Sequence, residues 1–154
     1  MSSPYVRSQR RILVAAPAAL AFRLFTPKAE ELWIDDWRPR YLRPGDGSTT
    51  PGMVFTTGEG AEFTVWQLLE FDPQARRSVY VRTTPASRAG TVSVQANPLD
   101  LSHTEVTVQY EMTALRPDAD PMLDAYREPA FGRMIEQWER SIRERMPQLV
   151  AALA

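Results

Sequence analysis

The sequence contains no cysteine, a single histidine and a single lysine among its 154 residues. Without cysteine the chain can form no disulfide, offers no thiolate nucleophile and has no cysteine ligand for a metal. A serine–histidine–aspartate arrangement would have to use His103, and one histidine does not make a structural zinc site. Schiff-base chemistry is restricted to Lys28. We therefore expect no metal and no cofactor.

Excess charge and long apolar runs are also missing. The formal net charge of −1 gives no reason to expect nucleic acid or an anionic membrane as a partner. No stretch approaches the ~20 apolar residues of a membrane span. The run ILVAAPAALAF resembles a short secretory signal, but Pro17 interrupts it and Arg23 follows almost at once. We expect a cytoplasmic protein, a monomer or homodimer, without membrane insertion.

The length of the chain and the order of its elements predict one α+β domain over residues 1–154. A first strand (5–14) is followed by two short helices, in "PAALAFRLF" and "PKAEELW", and by a loop over 38–52 that is rich in proline and glycine. Strands then follow in quick succession, at about 53–57, 61–71, 76–84, 89–96 and 104–113. Turn sequences separate them, which is typical of an antiparallel meander.

A long helix closes the chain. Asp120 and Pro121 are suited to its N-cap and first position, and Pro129 and Pro147 should kink it. Its apolar side chains recur at intervals of three and four, which predicts one buried stripe: Phe131, Met134, Ile135, Trp138, Ile142, Met146 and Leu149.

Hairpin registers predict which side chains share a face of the sheet. Four-residue turns at "DPQA" and "PASR" pair Leu68 with Val79 and Val81 with Val92, and paired residues lie on one face. The dry face would then carry Thr64, Trp66, Leu68, Val79, Val81, Thr83, Val92, Val94, Val106, Val108, Tyr110 and Met112. The polar face would carry Tyr80, Arg82, Thr91, Ser93, Gln95, Glu105, Thr107, Gln109 and Glu111. Strand 61–71 needs a bulge or a bend to accommodate its outward apolar residues: Phe63, Val65 and Leu69.

Several segments resemble the START-like (SRPBCC) superfamily, which includes Bet v 1-like proteins and polyketide cyclases. They are "VAAPAALAFRLF", "PGMVF", "FDPQARRSVYV", "HTEVTVQYEMTAL" and "MIEQWERSI". The resemblance implies a helix-grip fold, in which a curved antiparallel sheet of six or seven strands wraps a long C-terminal helix. It also implies a cavity between sheet and helix, with the two short helices and nearby loops as its mouth.

Three functions are compatible with this resemblance. The leading hypothesis is binding of a hydrophobic small molecule, lipid- or polyketide-like, in the cavity. The second is an enzyme resembling polyketide cyclases and aromatases, with cyclase or dehydratase chemistry and no metal. The third is a co-chaperone-like interaction module, although the face with Glu105, Gln109 and Glu111 is polar for such a role.

The residues expected to contact a ligand are mainly aromatic and apolar: Trp33, Trp37, Phe55, Glu62, Trp66, Val81, Tyr110, Met112, Met134 and Trp138. The segment "ELWIDDWRPRYL" is interpreted as the mouth of the cavity, with its tryptophans toward the apolar side and its charged residues toward water. Trp33 is favoured as a core residue, whereas core and ligand contact are equally supported for Trp37.

The candidate catalytic residues are Glu62 and Tyr110. Burial of Glu62 on the dry face beside Phe55 would raise its pKa, but its position next to a turn favours an exposed carboxylate at the end of a strand. Asp35 and Asp36 could form an acid–base pair, yet adjacent side chains seldom point the same way, and we expect both to face water. His103 is expected to be an exposed turn residue.

Overall fold

The computed structural model describes residues 2–153, which form one seven-stranded antiparallel sheet and a long C-terminal helix. The strands are β1 (Tyr5–Val14), β2 (Arg40–Arg43), β3 (Val54–Thr57), β4 (Thr64–Asp72), β5 (Arg77–Thr84), β6 (Arg88–Pro98) and β7 (Thr104–Ala114). Their order in the sheet is β1-β7-β6-β5-β4-β3-β2. The helices are α1 (Ala18–Arg23), α2 (Pro27–Glu30) and α3 (Ala130–Leu153), with 3₁₀ helices at Gly60–Glu62 and Pro117–Tyr126. This is the helix-grip fold expected from the sequence.

Local capping determines where the two short helices begin. Pro17 precedes α1, where the missing N–H of a proline costs nothing. The Thr26 hydroxyl accepts a hydrogen bond of 3.3 Å from the Ala29 N–H at the start of α2. The second helix ends at Glu30, and the chain continues through turns to Trp37. This change of direction brings residues 30–37 over the concave face of the sheet.

The C-terminal helix begins later than the sequence predicts. Asp120 and Pro121 lie in a 3₁₀ helix, and α3 starts at Ala130, directly after Pro129. Because a proline disfavours helical backbone in the residue before it, Pro129 stands at the boundary of the helix and does not kink its interior. The predicted apolar stripe is confirmed: its members are buried or packed against the core.

The segment predicted as loop contains a strand. β2 pairs with β3 at the edge of the sheet, with Tyr41 opposite Phe55. It has only four residues and lies between prolines and glycines, so its pattern was too short to stand out from the surrounding turn residues.

Three registers of the meander differ from those predicted. The turn after β5 has three residues, Pro85 to Ser87, with Ala86 in the left-handed region at φ 64°. Arg88 consequently belongs to β6, and Tyr80 instead of Val81 pairs with Val92. A one-residue slip exchanges the two faces of a strand. The inner face of β5 therefore carries Ser78, Tyr80, Arg82 and Thr84, and its outer face carries Val79 and Val81.

The pairing of β4 with β5 is also shifted. The turn between them spans residues 73–76 instead of 72–75, and β4 contains the irregularity that its pattern required. The register changes between Leu68 and Glu70, which leaves Leu69 as an extra, 65% exposed residue. The pairing of β6 with β7 is displaced by two residues, with Val94 opposite Val108, and this keeps the predicted faces. Among residues 2–153 there is no helix that is both long and apolar enough to cross a membrane.

Candidate functional site

A cavity of about 110 Å³ lies between the concave face of the sheet, the segment 30–37 and the middle of α3. The sheet supplies most of its wall, and α3 supplies Trp138. Its lining residues are Glu30, Ile34, Trp37, Phe55, Trp66, Tyr80, Arg82, Val92, Val94, Val108, Tyr110 and Trp138. Five of the residues expected to contact a ligand therefore border this cavity: Trp37, Phe55, Trp66, Tyr110 and Trp138.

Aromatic rings build one side of the cavity. Trp37 contacts Phe55 and Trp66 edge to face, with centroid distances of 5.9 and 5.5 Å. Phe55 and Trp66 are stacked at 5.7 Å, as their paired positions on β3 and β4 allow. The indole N–H of Trp37 donates to the Pro27 carbonyl oxygen at 2.9 Å, and that of Trp66 donates to the Thr57 hydroxyl at 3.0 Å. Both indoles are held by hydrogen bonds, so the rings present a fixed apolar surface.

Trp33 does not border the cavity. It is 2% exposed, and its indole N–H donates to the Leu24 carbonyl oxygen at 2.8 Å. Its ring contacts Phe25 and Trp138 edge to face. Trp33 is a core residue that fixes the segment 30–37 against α3, which agrees with the interpretation favoured from its sequence.

Glu30 is the carboxyl group of the cavity. It is half-buried at the end of α2, and its side chain lines the space beneath Trp37 and Ile34. Burial raises its pKa well above the ordinary value, because removal from water penalises the charged form. A group of this kind retains a proton over a wider range of pH than an exposed glutamate and can donate a hydrogen bond to a ligand.

The pH dependence of stability should report this buried carboxyl. The folded protein binds the Glu30 proton more tightly than the unfolded chain, so the contribution of Glu30 to stability is full below pH 4.5. It is lost as the pH rises from there toward the raised pKa. Glu30→Gln removes the titration. We expect its stability relative to the wild type to increase with pH across this interval, by about 1.4 kcal/mol per pH unit at most.

Urea denaturation between pH 4 and 8 would measure this difference. The exposed α3 residue Glu136 provides the matched control, because Glu136→Gln removes a carboxylate that lies in water. A Glu30→Gln curve that runs parallel to the wild-type curve at all pH values would refute the assignment.

Arg82 brings a guanidinium group to the same cavity. It lies over the ring of Trp66 at 4.7 Å and over that of Tyr126 at 5.7 Å. One terminal nitrogen donates to the Thr84 hydroxyl at 3.5 Å, but the buried Nε–H has no partner. Within residues 2–153, no carboxylate lies within 4.0 Å of the Arg82 guanidinium, so Arg82 forms no ion pair.

Two tyrosines complete the polar lining. The Tyr80 hydroxyl donates to the Phe25 carbonyl oxygen at 3.2 Å. Burial raises the pKa of both Tyr80 and Tyr110 above the ordinary value, and the charge of Arg82 lowers that of Tyr110 by a smaller amount. Both phenols are therefore protonated at neutral pH. Tyr110 thus lies in the cavity as a potential hydrogen-bond donor, not as a phenolate base.

Glu62 is not in the cavity. It lies in the 3₁₀ helix before β4 with its side chain 62% exposed, and it forms a 3.0 Å ion pair with the buried Arg88. The hydrogen bond from Arg88 lowers the pKa of Glu62, which is opposite to the shift expected for a buried acid. The alternative of an exposed carboxylate near a strand end is thus the correct one. Glu62 neutralises Arg88, whose Nε–H donates to the Tyr126 hydroxyl.

Three other expected ligand contacts lie elsewhere. Val81 is on the outer face, because the register of β5 differs from the predicted one. Met112 is fully buried in the core, and Met134 packs against that core from α3. Neither methionine borders the cavity.

The remaining ionisable candidates face solvent, as expected. Asp35 and Asp36 are exposed, and Asp35 lies 3.7 Å from Arg145. His103 is exposed beside Asp100, with 3.0 Å between Nδ1 and the carboxylate. No acid–base pair is formed by the two adjacent aspartates.

Sequence reasoning missed Glu30, Tyr80 and Arg82 as cavity residues. Glu30 could have been found, since it lies four and seven residues before Ile34 and Trp37 and so can share a side of a helical turn. Tyr80 and Arg82 could not be found without the correct register of β5.

Comparison with solved structures places this geometry in a known fold. A solution NMR structure of a protein from Thermobifida fusca matches with a TM-score of 0.65 at 24% identity, covering 89% of this chain and 93% of that one. Norcoclaurine synthase from Thalictrum flavum, in complex with dopamine and hydroxybenzaldehyde, matches with a TM-score of 0.65 at 12% identity, covering 93% and 89%. The Zhui aromatase/cyclase from Streptomyces sp. R1128 matches with a TM-score of 0.55 at 19% identity, covering 97% and 92%.

No protein-family model and no curated protein sequence matches the chain. The two named enzymes represent the Bet v 1-like and polyketide cyclase branches of the START-like superfamily. At these identities the likeness establishes the helix-grip fold and no more. The resemblance inferred from the sequence is confirmed at that level.

Proposed function

We propose that the chain binds a hydrophobic small molecule in the cavity between the sheet and α3. The observation that carries this proposal is the cavity of about 110 Å³, which is lined by six aromatic side chains and contains few polar groups. Burial of apolar surface would supply the affinity, and Glu30, Tyr110 and Arg82 would orient the ligand. In this proposal residues 1–154 act as one cytoplasmic domain, as a monomer or homodimer.

The volume narrows the class of ligand. An apolar cavity of about 150 Å³ holds one benzene molecule, so ~110 Å³ limits the ligand to a short branched chain, or to a single ring for which the lining side chains move apart slightly. A lipid or a fused-ring polyketide would require the segment with Ile34 and Trp37 to move outward. The norcoclaurine synthase structure contains dopamine and hydroxybenzaldehyde, each with one aromatic ring, so ligands of this size are compatible with the fold.

Native mass spectrometry of the freshly purified protein, followed by organic extraction, tests the proposal. We expect an adduct close to one molecule per chain, or a chain that acquires one when single-ring compounds are added. A protein that has no adduct and takes up none of these compounds would contradict it.

An enzyme resembling polyketide cyclases and aromatases is the second candidate. It is favoured by the presence of Glu30 and Tyr110 in one cavity, since a carboxyl with a raised pKa can pass a proton to or from a bound ligand. Glu30 replaces Glu62 as the candidate acid. If an extracted ligand is chemically converted by the wild type and only bound by Glu30→Gln, the enzyme is supported; binding without conversion supports the carrier.

A further inference from the structure

Arg82 is the one cation among the residues that line the cavity, and it forms no direct ion pair there; its charge acts on the exposed Glu62 only at longer range, where it helps Arg88 to lower the pKa of that carboxyl. Its neighbour Arg88 is neutralised by Glu62. Glu30, the only carboxyl of the lining, forms no ion pair with it within 4.0 Å. Arg82 is half-buried, and partial burial of a guanidinium without a direct ion pair costs free energy, of which the rings of Trp66 and Tyr126 offset only a part.

The register of the sheet directs this charge into the cavity. Arg82 on β5 lies opposite Gly90 on β6, which has no side chain to fill the adjacent position. Gly90 cannot carry one, since a Cβ would collide with the Glu111 carbonyl oxygen of β7. Two residues along β5, Tyr80 pairs with Val92, and Val92 pairs with Tyr110 on β7. The guanidinium thus lies next to a mainly apolar surface that is about as large as one aromatic ring.

We propose that the ligand of this cavity is a small aromatic carboxylate, with its carboxylate bound to Arg82 and its ring against Tyr80, Trp66 and Val92. This inference rests on the proposed function and adds the chemical class of the ligand. A guanidinium matches the planar shape and charge of a carboxylate, and the unpartnered Nε–H is one of the donors it would use. The Glu30 side chain in the same cavity can donate a second hydrogen bond when it is protonated.

A bound carboxylate would give Arg82 a direct ion pair, which the protein itself does not provide. Water that enters the cavity can satisfy the Nε–H as a neutral acceptor, but only an anion also compensates the charge. A neutral isostere of the same shape, such as the corresponding amide, would retain the apolar contacts and lose this compensation. The ionised acid should therefore bind about tenfold tighter than its amide or better.

The test is a set of dissociation constants measured by isothermal titration calorimetry at pH 7.5 for benzoate, benzamide, phenylacetate, phenylacetamide and toluene. In the wild type each acid should bind at least about tenfold tighter than its amide. Arg82→Met should abolish this preference while the amides bind as before. Arg133→Met removes an exposed arginine of α3 and should change nothing.

Arg82→Met should fold, because methionine keeps the apolar length of the side chain and no buried anion loses its partner. Arg82→Lys provides a second variant, in which the charge remains but the planar donor group is lost, so the preference should shrink without vanishing. Thermal unfolding curves would verify that both variants are native.

The outcomes separate the two proposals. Amides that bind the wild type as tightly as the acids, or a preference that survives in Arg82→Met, would overturn the assignment of the ligand class. Binding of toluene without binding of either acid would do the same while leaving the proposed function intact. If none of the five compounds binds, the assignment of the ligand class is overturned, and the proposed function fails as well if the purified protein carries no adduct.

Discussion

Replacing Trp33 by alanine should lower the free energy of unfolding by about 3–5 kcal/mol. The residue is 2% exposed, so truncation leaves a void among Phe25 and Trp138 that the neighbours can only partly fill. The change also leaves the Leu24 carbonyl oxygen without the indole N–H that it accepts at 2.8 Å. Urea denaturation followed by far-UV circular dichroism would measure the loss.

Trp37→Ala is the matched control for this prediction. Trp37 is half-buried and borders the cavity, so its truncation removes less buried surface and opens onto existing space. We expect a smaller loss of stability than for Trp33→Ala. If Trp37→Ala were the more destabilising of the two, the division between a core tryptophan and a cavity tryptophan would be wrong.

Filling the cavity from the sheet should remove ligand binding without unfolding the protein. Val92 is 6% exposed and lines the cavity, so Val92→Phe adds a ring to a space with room for about one. A ligand could enter only by expelling that ring, whose burial is worth ~1.5–3 kcal/mol. The affinity for toluene should therefore fall by about 10- to 150-fold.

Stability provides the second readout of this variant. Filling an existing cavity commonly stabilises a protein by ~0.5–2 kcal/mol, so the melting temperature of Val92→Phe should be unchanged or higher. Val81→Phe is the control, because Val81 lies on the outer face of the neighbouring strand. Equal loss of affinity in both variants, or wild-type affinity in Val92→Phe, would show that ligands bind elsewhere.

Much of the fold could be predicted because it follows from the spacing of apolar residues along the sequence. The stripe on α3 follows from apolar residues at intervals of three and four, and it places Ile135, Ile142 and Leu149 in the core. The faces of β6 and β7 follow from strict alternation, and a register error of two residues left them unchanged.

The face of β5 could not be predicted, since its alternation is ambiguous. Valines occupy one set of positions and a tyrosine and an arginine the other, so simple hydrophobicity favours Val79 and Val81 inside. The structure reverses this because Ala86 adopts a left-handed conformation in a three-residue turn, which is unusual for a residue other than glycine. Tyr80 tolerates burial through its hydrogen bond to the Phe25 carbonyl oxygen.

The polar groups of the candidate site could not be predicted from the sequence, for a related reason. Ionisable side chains are ordinarily placed in water, because burial of a charge costs free energy. That rule correctly placed Asp35 and Asp36 outside, but it fails for Glu30 and Arg82, which line the cavity. Exceptions of this kind are typical of binding sites, where stability is sacrificed to recognise a ligand.

The most direct test of the central claim is a methyl NMR titration of the wild-type protein with toluene. The methyl groups of Ile34, Val92, Val94 and Val108 line the cavity, whereas those of Val79 and Val81 lie on the outer face of the sheet. Binding in the cavity predicts saturable shifts of the first set, with intermolecular NOEs to toluene, and none of the second. Absence of saturable shifts in the lining methyl groups, or equal shifts on the outer face, would contradict it.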